Sequence, residues 1–242
     1  MKALPALKLL KQRAIPLAIC SSKTRKEIEY YRRKLDNNHP FISENGGGIF
    51  IPKEYFRFEI QELYNPPLPP FAKGGQGGFF EEKGYHSIRL GTEYSELRKA
   101  INGLRKESFS VKGFGDMTAE EIAETTGLNI NEAKMAKERD FDEPFIFVGA
   151  IHELPLLFDA IKSKGFNYTQ GRFFHILGNS DKGKAVSILI DLYKRKFGDI
   201  ITIAIAIAIL SLLATALMTF RCLKELIMPL LFRNLMVAMI PE

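Results

Sequence analysis

The sequence predicts an α/β protein with an open, Rossmann-like parallel sheet, and three features near its start carry this prediction. An apolar run, Ile15–Cys20, ends in a polar Ser-Ser-Lys-Thr turn, and a charged segment typical of a helix follows. A second short apolar unit, Pro40–Ile42, leads into Glu-Asn-Gly-Gly-Gly. Strand, polar turn, helix, strand and glycine turn is the order in which an open α/β sheet builds a ligand crevice at its strand ends.

The polar turn Ser21–Thr24 indicates phosphate chemistry. Its hydroxyls and the Lys23 ammonium directly precede the predicted helix, where backbone N–H groups and the helix dipole favour an anion. The alternative is a helix cap without a ligand. We therefore treat the turn as a candidate phosphate site.

Composition limits the classes of function. A chain of 242 residues can hold one large domain, or a core with a smaller inserted domain. The net charge of +6 comes from basic residues mixed with acidic ones, which predicts a solvated surface and no nucleic-acid partner. Cys20 and Cys222 lie in apolar surroundings far apart in sequence, which favours a reducing cytoplasm and predicts neither a disulfide framework nor a zinc site.

Hydrophobic periodicity predicts the elements of the first part of the chain. A Pro/Gly-rich stretch at residues 65–80 cannot sustain a helix or a ladder, so we expect a disordered insert there. A glycine-rich phosphate loop is the alternative, but no strand precedes this stretch and no helix follows it. The insert also resembles peptides encoded by mobile palindromic repeats. The predicted elements before it are helices at 3–13 and 24–35 and strands at 15–20, around Ile42 and at 49–52.

The second part of the chain has clearer helix boundaries. Thr118 and Glu121 have the spacing of a capping box, and Gly127 ends the helix that they begin. The predicted elements are strands at 86–91, 109–114, 144–148, 172–177 and 199–203, and helices at 94–105, 118–126, 131–138 and 181–194.

Five segments occur in order and together resemble one family. They are SSKTRKEIE, PFISENGGGIFIP, GFGDMTAEEIAETTGL, ERDFDEPF and GRFFHILGNSDKGKA. Their combination is similar to the mannosyl-3-phosphoglycerate phosphatases, in the Cof-like group of the haloacid dehalogenase superfamily. The resemblance implies a hydrolase core, incomplete here, from residues 1–92 and 172–203, with an inserted α+β cap at 93–171 and an aberrant tail at 204–242.

The resemblance also implies a magnesium-dependent reaction that converts mannosyl-3-phosphoglycerate to mannosylglycerate and phosphate. In that superfamily the first aspartate of a DxDxT loop attacks phosphorus to form an aspartyl-phosphate, and the second is general acid and base. A hydroxyl orients the phosphoryl group, a lysine offsets its charge, and carboxylates of a GDSxND motif hold Mg²⁺.

Site residues follow from the resemblance position by position. Ser21 matches the phosphate-binding hydroxyl and Lys182 the phosphate-binding lysine, although a lone lysine is usually a surface residue. His175 could equally be a structural histidine, and Arg139 with Glu143 could form only an ion pair. The positions expected to contact the substrate are Ser22, Lys23, Asn45, Gly46, Arg139, Glu143, Arg172 and His175.

Two motifs of the family are missing from the printed sequence. It contains neither DxDxT nor GDSxND, so we expect no metal site and no turnover by the chain as printed. In the family, DxDxT lies on a central strand just before the segment that begins here at Met1. We therefore expect an N-terminal truncation that exposes apolar surface on the neighbouring strands.

The C-terminal tail allows two interpretations. Ile200–Phe220 is a run of 21 uncharged, mostly apolar residues, long enough to span a membrane, with Arg221 and Lys224 after it on a cytoplasmic side. The preferred interpretation is a frameshift between Thr202 and Ala214, because suitable codons for GDSPNDLPMLK, read one nucleotide late, encode ATALMTFRCLK, the sequence of residues 214–224. The alternative functions are a membrane-anchored or a soluble, non-catalytic sugar-phosphate-binding protein.

Overall fold

The computed structural model describes residues 3–56, 78–82, 84–198 and 204–207. These residues form a six-stranded and a four-stranded sheet with helices packed against them, which confirms the predicted α/β fold with a second α+β unit. The predicted insert up to residue 77, the predicted strand at 199–203 and the tail beyond residue 207 lie outside the described residues.

The six-stranded sheet has the order β10-β1-β2-β3-β5-β4. Strand β1 is parallel to β10 and β2, as predicted for this sheet, whereas β3, β5 and β4 continue it as antiparallel strands. Its strands are β1 (Leu17–Cys20), β2 (Phe41–Ser43), β3 (Gly48–Pro52), β4 (Gly78–Glu82), β5 (Tyr85–Arg89) and β10 (Ala204–Ile207), and its helices are α1 (Ala3–Gln12), α2 (Arg25–Lys34) and α7 (Lys182–Phe197).

Alternation along β1 buries both faces of this sheet. Ala18 and Cys20 pack in a cluster with Leu189 of α7, while Ile19 packs in another cluster with Ile28 of α2. A strand covered by helices on both faces is the reason that the sequence is a continuous apolar run here. The helix α2 begins at the predicted place because Thr24 and Glu27 form a capping box.

Two expectations about this sheet are corrected. Strand β1 has a partner on each edge and its residues Ala18–Cys20 are buried, so the expected apolar exposure beside it is not found. Residues 78–80 of the expected disordered insert belong to β4, which pairs with β5 over five residues.

The apolar run at 200–220 contributes one described element. Ala204–Ile207 is a strand in register with Leu17–Cys20, so these four residues do not form part of a helix. Within the ranges that the structure describes, no helix is long and apolar enough to cross a membrane.

The four-stranded sheet is antiparallel throughout, in the order β6-β7-β9-β8. Helix α6 and strand β8 were not predicted, and α6 is fixed by its buried side chains Leu157 and Ile161. The sequence-based domain boundary at residue 172 lies within this sheet, because β9 pairs with β7 and β8. Its elements are β6 (Val111–Gly113), β7 (Asp142–Phe147), β8 (Asn167–Gln170), β9 (Phe174–Leu177), α3 (Tyr94–Lys106), α4 (Ala119–Thr126), α5 (Ile130–Lys137) and α6 (Leu154–Ser163).

Candidate functional site

The ends of β1 and β2 carry two polar turns that are joined through their backbones. The Ser21 amide donates to the Ile42 carbonyl at 3.0 Å, and the Asn45 amide donates to the Ser21 carbonyl at 3.1 Å. The Glu44 amide donates to the Lys23 carbonyl at 3.1 Å. The predicted hydroxyl turn and the predicted glycine turn therefore form one surface at the strand ends.

The start of α7 reaches this surface at Gly46. Gly46 has φ +92°, and a Cβ there would overlap the Asp181 carbonyl and lie 2.9 Å from the Lys182 amide nitrogen. Burial raises the pKa of the Cys20 thiol to about 12, although the Lys182 ammonium acts to lower it, which indicates that this charge is close to the end of β1. The structure thus brings Ser21, Asn45, Gly46 and Lys182 together.

Arg139, which lies between α5 and β7, reaches the same surface from the second unit. Its Nη1 donates to the Ser22 carbonyl at 3.0 Å and its Nε to the Ala136 carbonyl at 3.0 Å. Its ion-pair partner is Asp142, whose Oδ2 lies 3.9 Å from Nη1, and not Glu143. The Arg139 side chain is 5% exposed, so its guanidinium links the hydroxyl turn to the second unit rather than lying on the surface.

Asp142, which the sequence did not single out, connects two of the expected substrate contacts. Its Oδ2 accepts from Asn45 Nδ2 at 2.5 Å, and its Oδ1 lies 2.8 Å from His175 Nδ1. Burial acts to raise the pKa of this carboxyl, but His175, Arg139 and Asn45 together hold the pKa below its ordinary value. The signal in the sequence that could have identified Asp142 was its position inside the segment ERDFDEPF.

Glu44 is a second carboxylate that the sequence did not single out. It has φ +47°, and its carboxylate accepts from the Asp140 amide at 3.0 Å and the Phe141 amide at 2.8 Å. Burial raises the pKa of Glu44 to about 8, against the lowering effect of Arg139. Glu44 therefore ties the glycine turn to the chain that enters β7.

The side chain of Phe141 occupies a space that only glycines leave open. A Cβ at Gly47, Gly48 or Gly91 would overlap the Phe141 side chain, which is 1% exposed. The three consecutive glycines thus have two uses: Gly46 admits the start of α7, and its successors admit Phe141. We name this contact region, formed by residues 21–24, 44–48, 139–142 and 181–182 together with His175, the junction.

Two expected substrate contacts lie elsewhere. The Glu143 carboxylate is fully buried and accepts from Arg98 at 2.6 Å and Tyr94 Oη at 2.7 Å, because neighbouring residues on a strand point to opposite faces. Arg172 is exposed and donates to the carbonyls of Thr126 and Thr125 at the end of α4. Neither side chain forms a hydrogen bond or ion pair with a junction residue in the described part of the chain.

The two remaining expected substrate contacts, Ser22 and Lys23, lie in the hydroxyl turn itself. Lys23 Nζ is 2.6 Å from Glu27 Oε1, so its charge is already paired. The Ser21 hydroxyl accepts from the Lys23 amide at 3.2 Å. By contrast, Lys182 forms no ion pair with any other residue that the structure describes.

The two buried carboxylates of the junction do not suit a magnesium ion. Mg²⁺ requires near-octahedral oxygen ligands with open lone pairs. Glu44 and Asp142 are fully buried, and their oxygens accept hydrogen bonds from amides, Asn45 and the His175 ring. Across the described ranges, no group of three His, Cys, Asp or Glu residues could hold a metal ion.

This architecture, a mixed sheet and an antiparallel sheet that meet at a polar junction, has counterparts among solved structures. A crystal structure of a Thermoplasma acidophilum protein aligns with a TM-score of 0.51 at 14% identity, over 80% of this chain and 63% of that one. A haloacid dehalogenase-like hydrolase from B. subtilis aligns over 78% of the chain with a TM-score of 0.49. No protein-family model matches the chain.

Sequence relatives identify the family more narrowly. The chain is 42% identical over 205 residues to the glucosyl-3-phosphoglycerate/mannosyl-3-phosphoglycerate phosphatase of Methanococcoides burtonii. This alignment covers 84% of this chain and 70% of that protein. It is 40% identical over 195 residues to the mannosyl-3-phosphoglycerate phosphatase of Pyrococcus furiosus, covering 80% and 71%. The chain belongs to this phosphatase family, and the resemblance inferred from its motifs is confirmed.

Proposed function

We propose that the junction binds the phosphate of a phosphorylated sugar-glycerate, mannosyl-3-phosphoglycerate or its glucosyl counterpart, with Ser21 and Lys182 as the phosphate-binding groups. The observation that carries the proposal is the close approach of Gly46 to Asp181 and Lys182, which brings a cation and a hydroxyl turn to one set of strand ends. The names of the relatives support the choice of substrate.

Each group has a definite part in binding the ester. The Lys182 ammonium offsets the phosphate charge, and the amides at the starts of α2 and α7 are donors that suit an anion. The Ser21 hydroxyl donates to a phosphoryl oxygen. Arg139 acts through the Ser22 carbonyl that it holds at 3.0 Å, and so fixes the turn that carries Ser21.

We propose that the chain as printed binds this ester without hydrolysing it. Hydrolysis in the family uses a nucleophilic aspartate and a proton donor from DxDxT, and that motif does not occur in the printed sequence. Magnesium would neutralise the phosphoryl oxygens in the complete family site.

Calorimetric titration with mannosyl-3-phosphoglycerate tests the binding function. We expect Lys182→Ala to weaken binding by about tenfold or more, because one charge-assisted contact is worth roughly 1.5–3 kcal/mol. Lys194→Ala, which removes an exposed lysine from the same helix, is the matched control and should bind as the unchanged chain does. Equal affinities for all three proteins, or no binding at millimolar ester, would remove the proposal.

The membrane-anchored alternative has less support. It rests on the run at 200–220, of which Ala204–Ile207 is a strand beside β1. We propose action in the cytoplasm, which suits the free, buried Cys20. Cell fractionation of the full chain and of a chain that ends at Thr202 distinguishes the membrane from the cytoplasmic location. If the run is a membrane anchor, the full chain is found in the membrane fraction and the shortened chain is not.

We also propose that the tail is a frameshifted copy of the GDSxND region. The support is the eleven-residue agreement between residues 214–224 and a family-like sequence read one nucleotide late. Sequencing the gene through this region tests it directly. The nucleotides must spell GDSxND in the alternative frame, and any other spelling rules the proposal out.

A further inference from the structure

One buried carboxylate of the junction has hydrogen-bond partners from both sheets. Asp142 lies at the start of β7, Asn45 in the glycine turn after β2, and His175 on β9. We propose that Asp142 is a positioning residue: it fixes the Asn45 amide and the His175 ring so that both present hydrogen-bond acceptors to hydroxyl groups on the sugar-bearing part of the ligand. The inference rests on the proposed function, since it assigns the ligand's second half.

The Asn45 amide can take only one orientation against Asp142. An ionised carboxylate accepts hydrogen bonds and cannot donate, so Nδ2 must face Asp142 Oδ2 at 2.5 Å. The amide oxygen Oδ1 then faces the opposite way. Asn45 is 8% exposed, and Oδ1 has no hydrogen-bond partner among the residues that the structure describes. An acceptor therefore remains open beside the Ser21 turn.

The backbone holds Asn45 in this place independently of the amide. The backbone N–H of Asn45 donates to the Ser21 carbonyl. The φ of +57° at Asn45 is a left-handed conformation that asparagine tolerates better than most residues. Asn45 also directly precedes Gly46, which contacts the start of α7. The open oxygen thus lies at a fixed position relative to the proposed phosphate site.

Asp142 selects the protonated nitrogen of His175 by the same logic. Nδ1 lies 2.8 Å from Oδ1 and 3.1 Å from Oδ2, so Nδ1 carries a proton whether the ring is neutral or charged. In the neutral ring Nε2 is then an acceptor. The side chain is 12% exposed, and Nε2 has no hydrogen-bond partner in the described part of the chain.

These two acceptors favour hydroxyl donors over anionic oxygens. A hydroxyl can donate to Asn45 Oδ1 and to His175 Nε2, whereas a carboxylate or phosphate oxygen can donate to neither. The phosphate is attracted instead to Lys182, whose backbone lies against Gly46. The junction therefore has an anion end and a hydroxyl end, and Asp142 defines the second.

The test compares two ligands by calorimetry: mannosyl-3-phosphoglycerate, and 2-phosphoglycolate, which has a phosphate and a carboxylate but no hydroxyl. In Asp142→Asn the new side chain has one acceptor oxygen and one donor NH₂ group. It can therefore accept from only one of Asn45 and His175 and must donate to the other. We expect Asp142→Asn to weaken the sugar ester by roughly 3- to 10-fold, the range of one neutral hydrogen bond, and 2-phosphoglycolate by less than about twofold.

Asp116→Asn is the matched control. It is the same substitution at another ion-paired carboxylate of the cap, bound to Arg98 and Arg105 away from the junction, and should change the affinity for neither ligand. Equal losses for both ligands in Asp142→Asn would show a merely structural role and overturn the inference, as would no loss for either. If the unchanged chain binds neither ligand, the proposed function itself fails.

A second measurement uses the unchanged chain and so does not depend on whether a variant folds. The ¹⁵N shifts of the His175 ring in the unchanged chain report which nitrogen carries the proton. We expect a protonated Nδ1 at every pH at which the chain is folded, and a neutral ring with its proton on Nε2 would overturn the inference. In Asp142→Asn, if it folds, the Nε2-protonated form should appear.

Discussion

Two neighbouring carboxylates on β7 lie in contrasting networks. Glu143 is held inside the cap by Arg98 and Tyr94, and Arg98 is in turn bound to Asp116, so strong charge pairs hold one unit together. Asp142, equally buried, is held by an amide and an imidazole, and its arginine is 3.9 Å away. The cap interior uses opposite charges at close range, whereas the junction uses directional hydrogen bonds between separate elements.

This difference indicates what each network does. Burial raises the pKa of Glu143 even though Tyr94, Gly115 and Arg98 act to lower it, and all of these partners come from the same unit as Glu143. The partners of Asp142 come from both sheets, so the geometry of Asp142 depends on how the two units meet. We therefore expect cap-interior changes to affect stability alone, and junction changes to affect stability and ligand binding together.

The largest separation between the two regions should come from a pair of phenylalanines. Phe141 and Phe145 are both almost fully buried, the first against the junction glycines and the second in the cap core. Replacement of either by Ala should lower the free energy of unfolding by about 3–5 kcal/mol. Urea unfolding measures this cost, and calorimetry should show weaker ester binding only for Phe141→Ala. Equal affinities in the two variants would break the comparison.

A smaller effect is expected from the glycine that admits α7. In Gly46→Ala the new Cβ would overlap the Asp181 carbonyl at a positive φ, so we expect a loss of about 2–4 kcal/mol and no detectable phosphate binding. Gly127→Ala is the control, since Gly127 has a positive φ of 74° with nothing within 4 Å of a Cβ. It should cost about 1 kcal/mol in urea unfolding and leave binding intact. Retained binding in Gly46→Ala would contradict the proposed site.

The last predicted effect, spread over several pH units, is a pH dependence of stability that comes from Glu44. Its pKa is raised to about 8 in the folded chain from an ordinary value of 4.5, so the folded state binds more protons between these values. The contribution to stability is complete below pH 4.5 and is lost as the pH rises through 8. Denaturant unfolding from pH 5 to 9 should show a decline of about 2–4 kcal/mol, which Glu44→Gln flattens.

Glu124→Gln provides the comparison for this pH series, because it removes an exposed carboxyl from the cap. Its profile should follow that of the unchanged chain. A Glu44→Gln profile with the same slope as the other two would show that Glu44 is ionised throughout and that burial does not control it. Asp142 has the opposite sign, since its pKa is lowered and its contribution is lost as the pH falls.

The elements with local signals could be predicted from the sequence. Strand β1 is a bounded apolar run, and α2 and α4 each begin with a capping box, so both the type and the start of these elements followed from neighbouring residues. Helix α6 starts without a side-chain cap, and β8 has no buried position, which explains why neither was predicted.

The site was predictable only where its chemistry is carried by single residues. Ser21 and Lys182 were identified individually from motifs, but the roles of Glu44 and Asp142 depend on partners 97 residues away in the sequence. The expected pairing of Arg139 with Glu143 assumed helical spacing. These residues instead lead into a strand, and alternation turns Glu143 to the other face of the sheet.

The most direct test of the account is an amide-resolved NMR titration of the chain with inorganic phosphate. We predict shifts that saturate together at the amides of residues 21–24, 45–47 and 182–184, with the cap-interior amides of residues 113–116 unchanged, because the anion site lies at the junction. Shifts confined to other parts of the chain, or equal shifts at the cap-interior amides, would contradict the claim that the junction is the phosphate site.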